Sequence, residues 1–192
     1  MITFVVFIIL HLLSLYFLEV YVDSYYNKRI SDNKTTPQVF DIAHKYLPDL
    51  HYVEWIHHLT FIFLIPMFFY PVIYKEYSSY WLILFIIRSF MIVVTVLPKY
   101  KNCSTKNEDN NKIYKLLTGG CYDKIFSGHF ASILLATLLY LKYGLININN
   151  LIFINIINAF LILATRSHYT IDILVAIFVT LFVYQSPIFS LN

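Results

Sequence analysis

"FSGHFASILLATLLYLKYGLININNLIFINIINAFLILATRSHYTIDILVAIF" (126–178) holds three apolar runs, each entered through a polar turn. The runs are continuous rather than alternating, which argues for helices over strands. Asn147, Asn149 and Asn150 mark the first turn, and "TRSH" (165–168) marks the second. Each run approaches the ~20 residues with which a helix spans a bilayer. Read outward from here, the same pattern predicts six helices, at 2–22, 53–74, 80–98, 126–145, 149–166 and 168–189. Polar segments at 23–52 and 99–124 are the only long connections.

Composition points the same way. The chain is 59% hydrophobic and only 13% charged, too little polar residue to cover a water-soluble domain. The expected fold is therefore all-α, a six-transmembrane-helix bundle forming one integral membrane domain over 1–192. The net charge of +3 is small. The basic residues stand between apolar runs, where they meet lipid headgroups, and no basic helix, zinc-finger spacing or RNA-binding motif points to nucleic acid. "MITFVVFIILHLLSLYFLEVYV" (1–22) is too long for a signal-peptide core and lacks a basic n-region and a cleavage site, so it reads as a retained helix. Cys103 and Cys121 share one loop and would pair only in an oxidising compartment.

Parity makes a prediction that needs no orientation. His129 starts the fourth helix and His168 the sixth, so two passes separate them and they share a membrane face. Thr95, Leu97 and Pro98 at the end of the third helix, and Arg166 at the end of the fifth, reach that face too. Most lysines fall on this side, which by the positive-inside rule places it in the cytoplasm.

Three elements at this face carry chemistry. His168 and Asp172 stand four apart, which on a helix puts them on one face. A carboxylate bonded to one imidazole nitrogen fixes the tautomer and makes the other a better nucleophile or base. The bland alternative is a His–Asp pair satisfying itself inside a bundle, but ionisable groups in apolar helices are costly and usually functional. In "CYDKIFSGHFAS" (121–132), Ser127 suits an N-cap, and Gly128 permits close approach to the backbone. The helix start there favours an anion such as phosphate. Arg88, in "IIRSFMIVVTVLP" (86–98), requires an anionic partner, either a structural one such as Glu19 or Glu54 or a phosphate. Together these residues suit phosphoryl transfer on a lipid: one histidine attacks phosphorus, its aspartate orients it, the other histidine protonates the leaving oxygen, and arginines hold the phosphoryl oxygens.

"CYDKIFSGHF" (121–130) with "SHYTIDILVA" (167–176) resembles the sphingomyelin synthase family of the type-2 phosphatidic acid phosphatase superfamily, whose elements are C-G-D-x-x-x-S-G-H-T and H-Y-T-x-D-V. Arg88, Thr95, Leu97 and Pro98 match that family's arginine and T-x-L-P, and "YLPDL" (46–50) is a weaker match to P-L-P-D. The resemblance covers roughly 45–185. It implies a catalytic triad of His168 (nucleophile), His129 (acid/base) and Asp172. It also implies no metal or other cofactor. The residues themselves suggest substrate contacts from Arg88, Ser127, Gly128, Arg166 and Asp123. The implied reaction moves a phospho-headgroup such as phosphocholine or phosphoethanolamine from a glycerophospholipid donor to ceramide or diacylglycerol, in an endomembrane or plasma membrane. The family's active site faces the lumen or exterior, the reverse of the lysine count.

This sequence departs from the pattern at Tyr122 (for Gly), Phe130 (for Thr), and Arg166 and Ser167 (for His and Asp). The lipid phosphate phosphatases are the alternative within the superfamily. Against them, Ser89 follows Arg88 where they carry Pro, Phe126 replaces the Pro before SGH, and Ile162 stands where they carry Arg. A non-catalytic lipid-binding relative is a further alternative, and a haem bundle through His11, His57 and His58 fits poorly. His44, His51, His57 and His58 have no standard zinc spacing and read as interfacial.

Overall fold

A computed structural model describes Ile9, residues 39–95 and residues 125–186. The protein is all-α over these residues. Its contacts divide the chain into two compact units, Met1–Phe40 with Ser89–Ile125 and Asp41–Arg88 with Phe126–Asn192. The expected helix at 2–22 lies outside the described residues except for Ile9, which is helical. The loop with Cys103 and Cys121 lies outside them as well.

The second unit begins with α1 (Ile42–Tyr46), inside what the sequence suggests is a bare connection. Asp41 creates this short helix by accepting the His44 N–H as its N-cap. A 3-10 helix follows at His51–Phe69, kinked where Val53 leaves helical angles (φ −118°, ψ 39°). Then come α2 (Pro71–Val94), α3 (Gly128–Lys142), α4 (Ile148–Ala164) and α5 (Thr170–Gln185).

The boundary expected near 75–79 is at Tyr70–Pro71 instead. Proline lacks an N–H and has a preset φ, so it suits the first position of a helix. Lys75 and Glu76 look like loop residues but lie early in α2. Glu76 bonds the Lys142 ammonium and accepts the Tyr143 hydroxyl at 2.8 Å, a partnership invisible in local sequence.

α3, α4 and α5 run 15, 17 and 16 residues, shorter than the apolar runs that announced them. Caps trim them. Ser127 and Asn147 start α3 and α4 by accepting N–H groups of Phe130 and Asn150. Gly144 (φ 70°) ends α3 in a left-handed turn closed by Leu145 N–H to Tyr140 O at 2.8 Å. The same closure ends α4, from Ser167 N–H to Ile162 O at 3.2 Å, but here Arg166 (φ 61°) takes the place usually given to glycine. Among the described residues, no helix is long and apolar enough to cross a membrane.

α3 sits at the centre and packs against the 3-10 helix, α4 and α5. Ala131, Ile133, Leu135, Ala136 and Leu139 are wholly buried, as expected of a helix apolar on all sides. Polar bonds key the helices together. Asn155 of α4 donates to Thr137 Oγ1 of α3 at 2.8 Å. Tyr140 donates to Phe63 O at 2.9 Å and accepts from Met67 N–H at 3.1 Å. Tyr77 of α2 lies 2.6 Å from Ser132 Oγ.

Candidate active site

The SGH turn and the HYTID segment meet through backbone. The Ser127 N–H donates to the Asp172 carbonyl at 3.3 Å, tying the start of α3 to the first turn of α5. Ser127 is fully buried, and its hydroxyl caps α3 through Phe130 N–H at 3.2 Å.

His168 does not begin α5 as the spacing suggests. It stands in the turn before Thr170, and Asp172 reaches back to it from the third position of the helix. Asp172 Oδ2 accepts the Tyr169 N–H at 2.9 Å and lies 3.2 Å from His168 Nδ1. Asp172 is wholly buried, while the His168 side chain is 12% exposed. The carboxylate therefore takes Nδ1–H and leaves Nε2 as the nitrogen that can attack or accept a proton. Asp172 Oδ1 is buried without a hydrogen-bond partner. An unpaired carboxylate oxygen in a buried site strengthens the pull of the remaining oxygen on a positive imidazole.

His129 is held from its other side. Its Nε2 lies 2.8 Å from Thr60 Oγ1. Thr60 has one proton, and the His57 carbonyl (2.7 Å) and Asn158 Oδ1 (3.0 Å) both stand ready to accept it. Thr60 thus serves as acceptor to an Nε2–H on His129, which leaves Nδ1 as the nitrogen that can exchange a proton. Phe61 stacks on the His129 ring at 3.9 Å. His57 and His58 flank it, with ring centroids at 5.0 and 5.5 Å. His168 is close enough to interact with it electrostatically.

Arg88 lies over the SGH turn. Its Nε donates to Phe126 O at 3.0 Å. A Cβ on residue 128 would stand 2.9 Å from that Nε, so Gly128 is what admits the arginine this close. The expected phosphate contacts Arg88, Ser127 and Gly128 thus converge on one turn. Arg166 goes elsewhere. Its guanidinium donates to Leu47 O at 3.0 Å and to Leu163 O at 3.4 Å, and its Nε lies 3.7 Å from Asp49. It is 6% exposed and ties the 47–50 loop to the end of α4, where Leu50 N–H also bonds Ala164 O at 2.8 Å. Asp123 lies outside the described residues.

Both histidine segments fall within residues 120–187, which match the family described as PAP2 superfamily C-terminal. This segment is similar to that family over those residues. The chain is also 30% identical over 148 residues to a phosphatidylinositol:ceramide inositolphosphotransferase from Trypanosoma cruzi (strain CL Brener). That alignment covers 69% of this chain, which spans 38% of the relative's length.

Residues upstream of the matched segment bond to the same turns, and sequence reasoning missed them. Asp41 accepts Thr170 N–H at 2.6 Å and the Thr170 hydroxyl at 2.8 Å, so one carboxylate caps α1 and pins the start of α5. Burial alone would raise its pKa, but the bonds from Thr170 and His44 hold it below the usual carboxylate value. His44 Nε2 lies 3.0 Å from the His168 carbonyl, which can only accept, so His44 donates there. Burial lowers the His44 pKa and keeps the ring neutral at neutral pH. The available signal was Asp41 three residues before His44, an N-cap spacing. His57, expected at an interface, is buried at 6% exposure because Thr165 (3.4 Å) and Ser167 (3.2 Å) bind its Nδ1. Thr60 gave no signal in an apolar run.

Proposed function

We propose that the protein is a membrane-embedded lipid phosphotransferase that moves a phospho-headgroup from a glycerophospholipid to ceramide through a phosphohistidine. The observation that carries this is the joining of SGH to HYTID by the Ser127–Asp172 backbone bond, which gathers His129, His168 and Asp172 around one turn. His168 Nε2 attacks the donor phosphorus and the P–O bond to diacylglycerol breaks. His129, which enters this step carrying a proton on Nδ1, gives it to that oxygen. The ceramide hydroxyl then attacks the phosphohistidine, His129 takes the hydroxyl proton, and the P–N bond breaks to restore His168. Asp172 supports the positive imidazole that forms in each step. Arg88 and the donors of the SGH turn hold the phosphoryl oxygens.

Two observations support the finer points. Apolar side chains face outward along α4 (Ile152, Phe153, Ile156, Phe160) and α5 (Ile171, Leu174, Phe178, Phe182), while Asn155, Asn158 and Thr180 face inward. That inverted arrangement suits lipid rather than water around the helices. Arg166 is engaged by the 47–50 loop and α4, so of the two arginines only Arg88 lies at the SGH turn. A singly charged phosphodiester suits such a site better than the nearly dianionic monoester of a phosphatase substrate. The relative's name adds phosphatidylinositol to the donors worth testing.

The test is reconstitution of the purified chain in vesicles with labelled ceramide and, separately, phosphatidylinositol, phosphatidylcholine, phosphatidylethanolamine and phosphatidic acid. Transfer produces a new sphingophospholipid and one diacylglycerol. Phosphate release from phosphatidic acid, with no product on ceramide from any donor, would replace transfer by hydrolysis.

A further inference from the structure

His57, His58 and His129 form a cluster that the proposed reaction uses only in part. Each offers one ring nitrogen, and these nitrogens lie within 4.8 Å of one another. Two ligands come from adjacent positions of the 3-10 helix and the third from the start of α3, so no local spacing announces the set. Tetrahedral zinc with Zn–N distances near 2.0–2.1 Å needs donor nitrogens roughly 3.4 Å apart. The nitrogens therefore need to close by at most about 1.4 Å.

The surroundings favour coordination. Thr165 and Ser167 hydroxyls stand 3.4 and 3.2 Å from His57 Nδ1 and orient the ring, so Nε2 is the nitrogen turned away from them. Thr60 holds Nε2 of His129, which leaves Nδ1. Outer hydrogen bonds of this kind set the tautomer and orientation of metal-binding histidines. The His57 and His58 rings are 4.0 Å apart between centroids, close enough for one cation to meet both. Three imidazoles with no carboxylate among them suit a borderline-soft ion such as Zn²⁺ rather than Mg²⁺ or Ca²⁺.

We propose that His57, His58 and His129 form a binding site for Zn²⁺ that inhibits the protein. The inhibitory part rests on the proposed acid/base role of His129. A metal on Nδ1, with Thr60 on Nε2, leaves that ring no nitrogen with which to pass a proton to or from lipid.

The experiment separates binding from turnover. Untagged full chain, stripped with EDTA and freed of it, is titrated with Co²⁺ alone and read by visible absorption. Zn²⁺ is then added as competitor. One equivalent should bind with an intense tetrahedral-type spectrum. His58→Gln, at a half-buried position, and His57→Gln should each weaken binding by at least about tenfold, the lower end of what losing even an outer partner costs. Absence of stoichiometric binding to the wild type, or wild-type affinity in both variants, overturns the site. Lipid turnover is measured separately, each variant against its own metal-free rate. It should fall in proportion to Zn²⁺ occupancy and resist Zn²⁺ in His58→Gln. Occupancy without loss of turnover overturns the inhibitory role. Metal binding in a protein that turns over no lipid rejects the proposed function and the inhibition built on it, and upholds the site.

Discussion

Replacing Asp172 by Asn tests the proposed nucleophile through its support. The substitution preserves shape. With its oxygen in the Oδ2 position, the amide still accepts from Tyr169 N–H and His168 Nδ1–H, at the 2.9 and 3.2 Å of the wild type. Two things change. The amide NH₂ then occupies the place of Oδ1, which is buried and has no partner. Leaving a buried donor unpaired costs about 1–3 kcal/mol of stability. The negative charge facing the imidazole is also lost. A hydrogen bond to a charged group contributes about 1.5–3 kcal/mol, or roughly 10- to 150-fold in rate at ~1.36 kcal/mol per decade. Coulomb's law for unit charges at that separation, with an effective dielectric of ~20, sets an upper figure near 5 kcal/mol, or a few thousandfold. The expected result is a fall in kcat between about 10- and 10³-fold, with KM little changed and melting in detergent lowered modestly. The assay is lipid turnover in vesicles for wild type, Asp172→Asn, His168→Ala and the double variant. Because Asp172 acts through His168, the aspartate substitution should have no further effect on turnover once His168 is alanine. Turnover within twofold of wild type in Asp172→Asn, or additive losses in the double variant, would refute the argument.

Other predictions follow from particular contacts. Gly128→Ala should leave the fold intact but displace the Arg88 side chain, lowering turnover about 10- to 10²-fold, the effect of misplacing a binding group by about 1 Å; wild-type kinetics would show that Arg88 does not act at this turn. Arg166→Gly should be more stable than Arg166→Ala by about 0.5–1 kcal/mol, since both lose the guanidinium bonds but only alanine retains the left-handed strain; equal melting temperatures would contradict this. Asp41→Asn should destabilise the protein near neutral pH. The folded pKa of Asp41 is held below the usual carboxylate value, so its charge contributes stability above about pH 4 and loses it as pH falls further; the gap in unfolding stability between wild type and variant should therefore narrow below about pH 4. Lys142→Met should cost under about 1 kcal/mol and leave turnover unaltered, because its partner Glu76 is met at a partly exposed site. Turnover should persist in EDTA; loss of activity restored by Mg²⁺ would call for a different mechanism.

Much of the protein was written locally. Apolar runs broken by Ser127, Asn147 and Thr165–Ser167 specified helices, because caps and turns act over three or four residues and are visible in any short window. The pairing of His168 with Asp172 was legible for the same reason, although the helix begins two residues later than expected and the aspartate reaches backward to the turn. What the sequence could not disclose depends on residues far apart in the chain. Lys75 and Glu76 read as loop until Lys142 and Tyr143 are placed beside Glu76. Arg166 read as a phosphate ligand, but a left-handed turn and the carbonyl of Leu47 direct it into the protein. Asp41, His44, Thr60 and His57 acquire their roles only because the fold lays the 41–60 stretch against the starts of α3 and α5. A hydrogen bond needs an angle and about 3 Å, and composition and periodicity carry neither; that precision is a property of the packed helices alone.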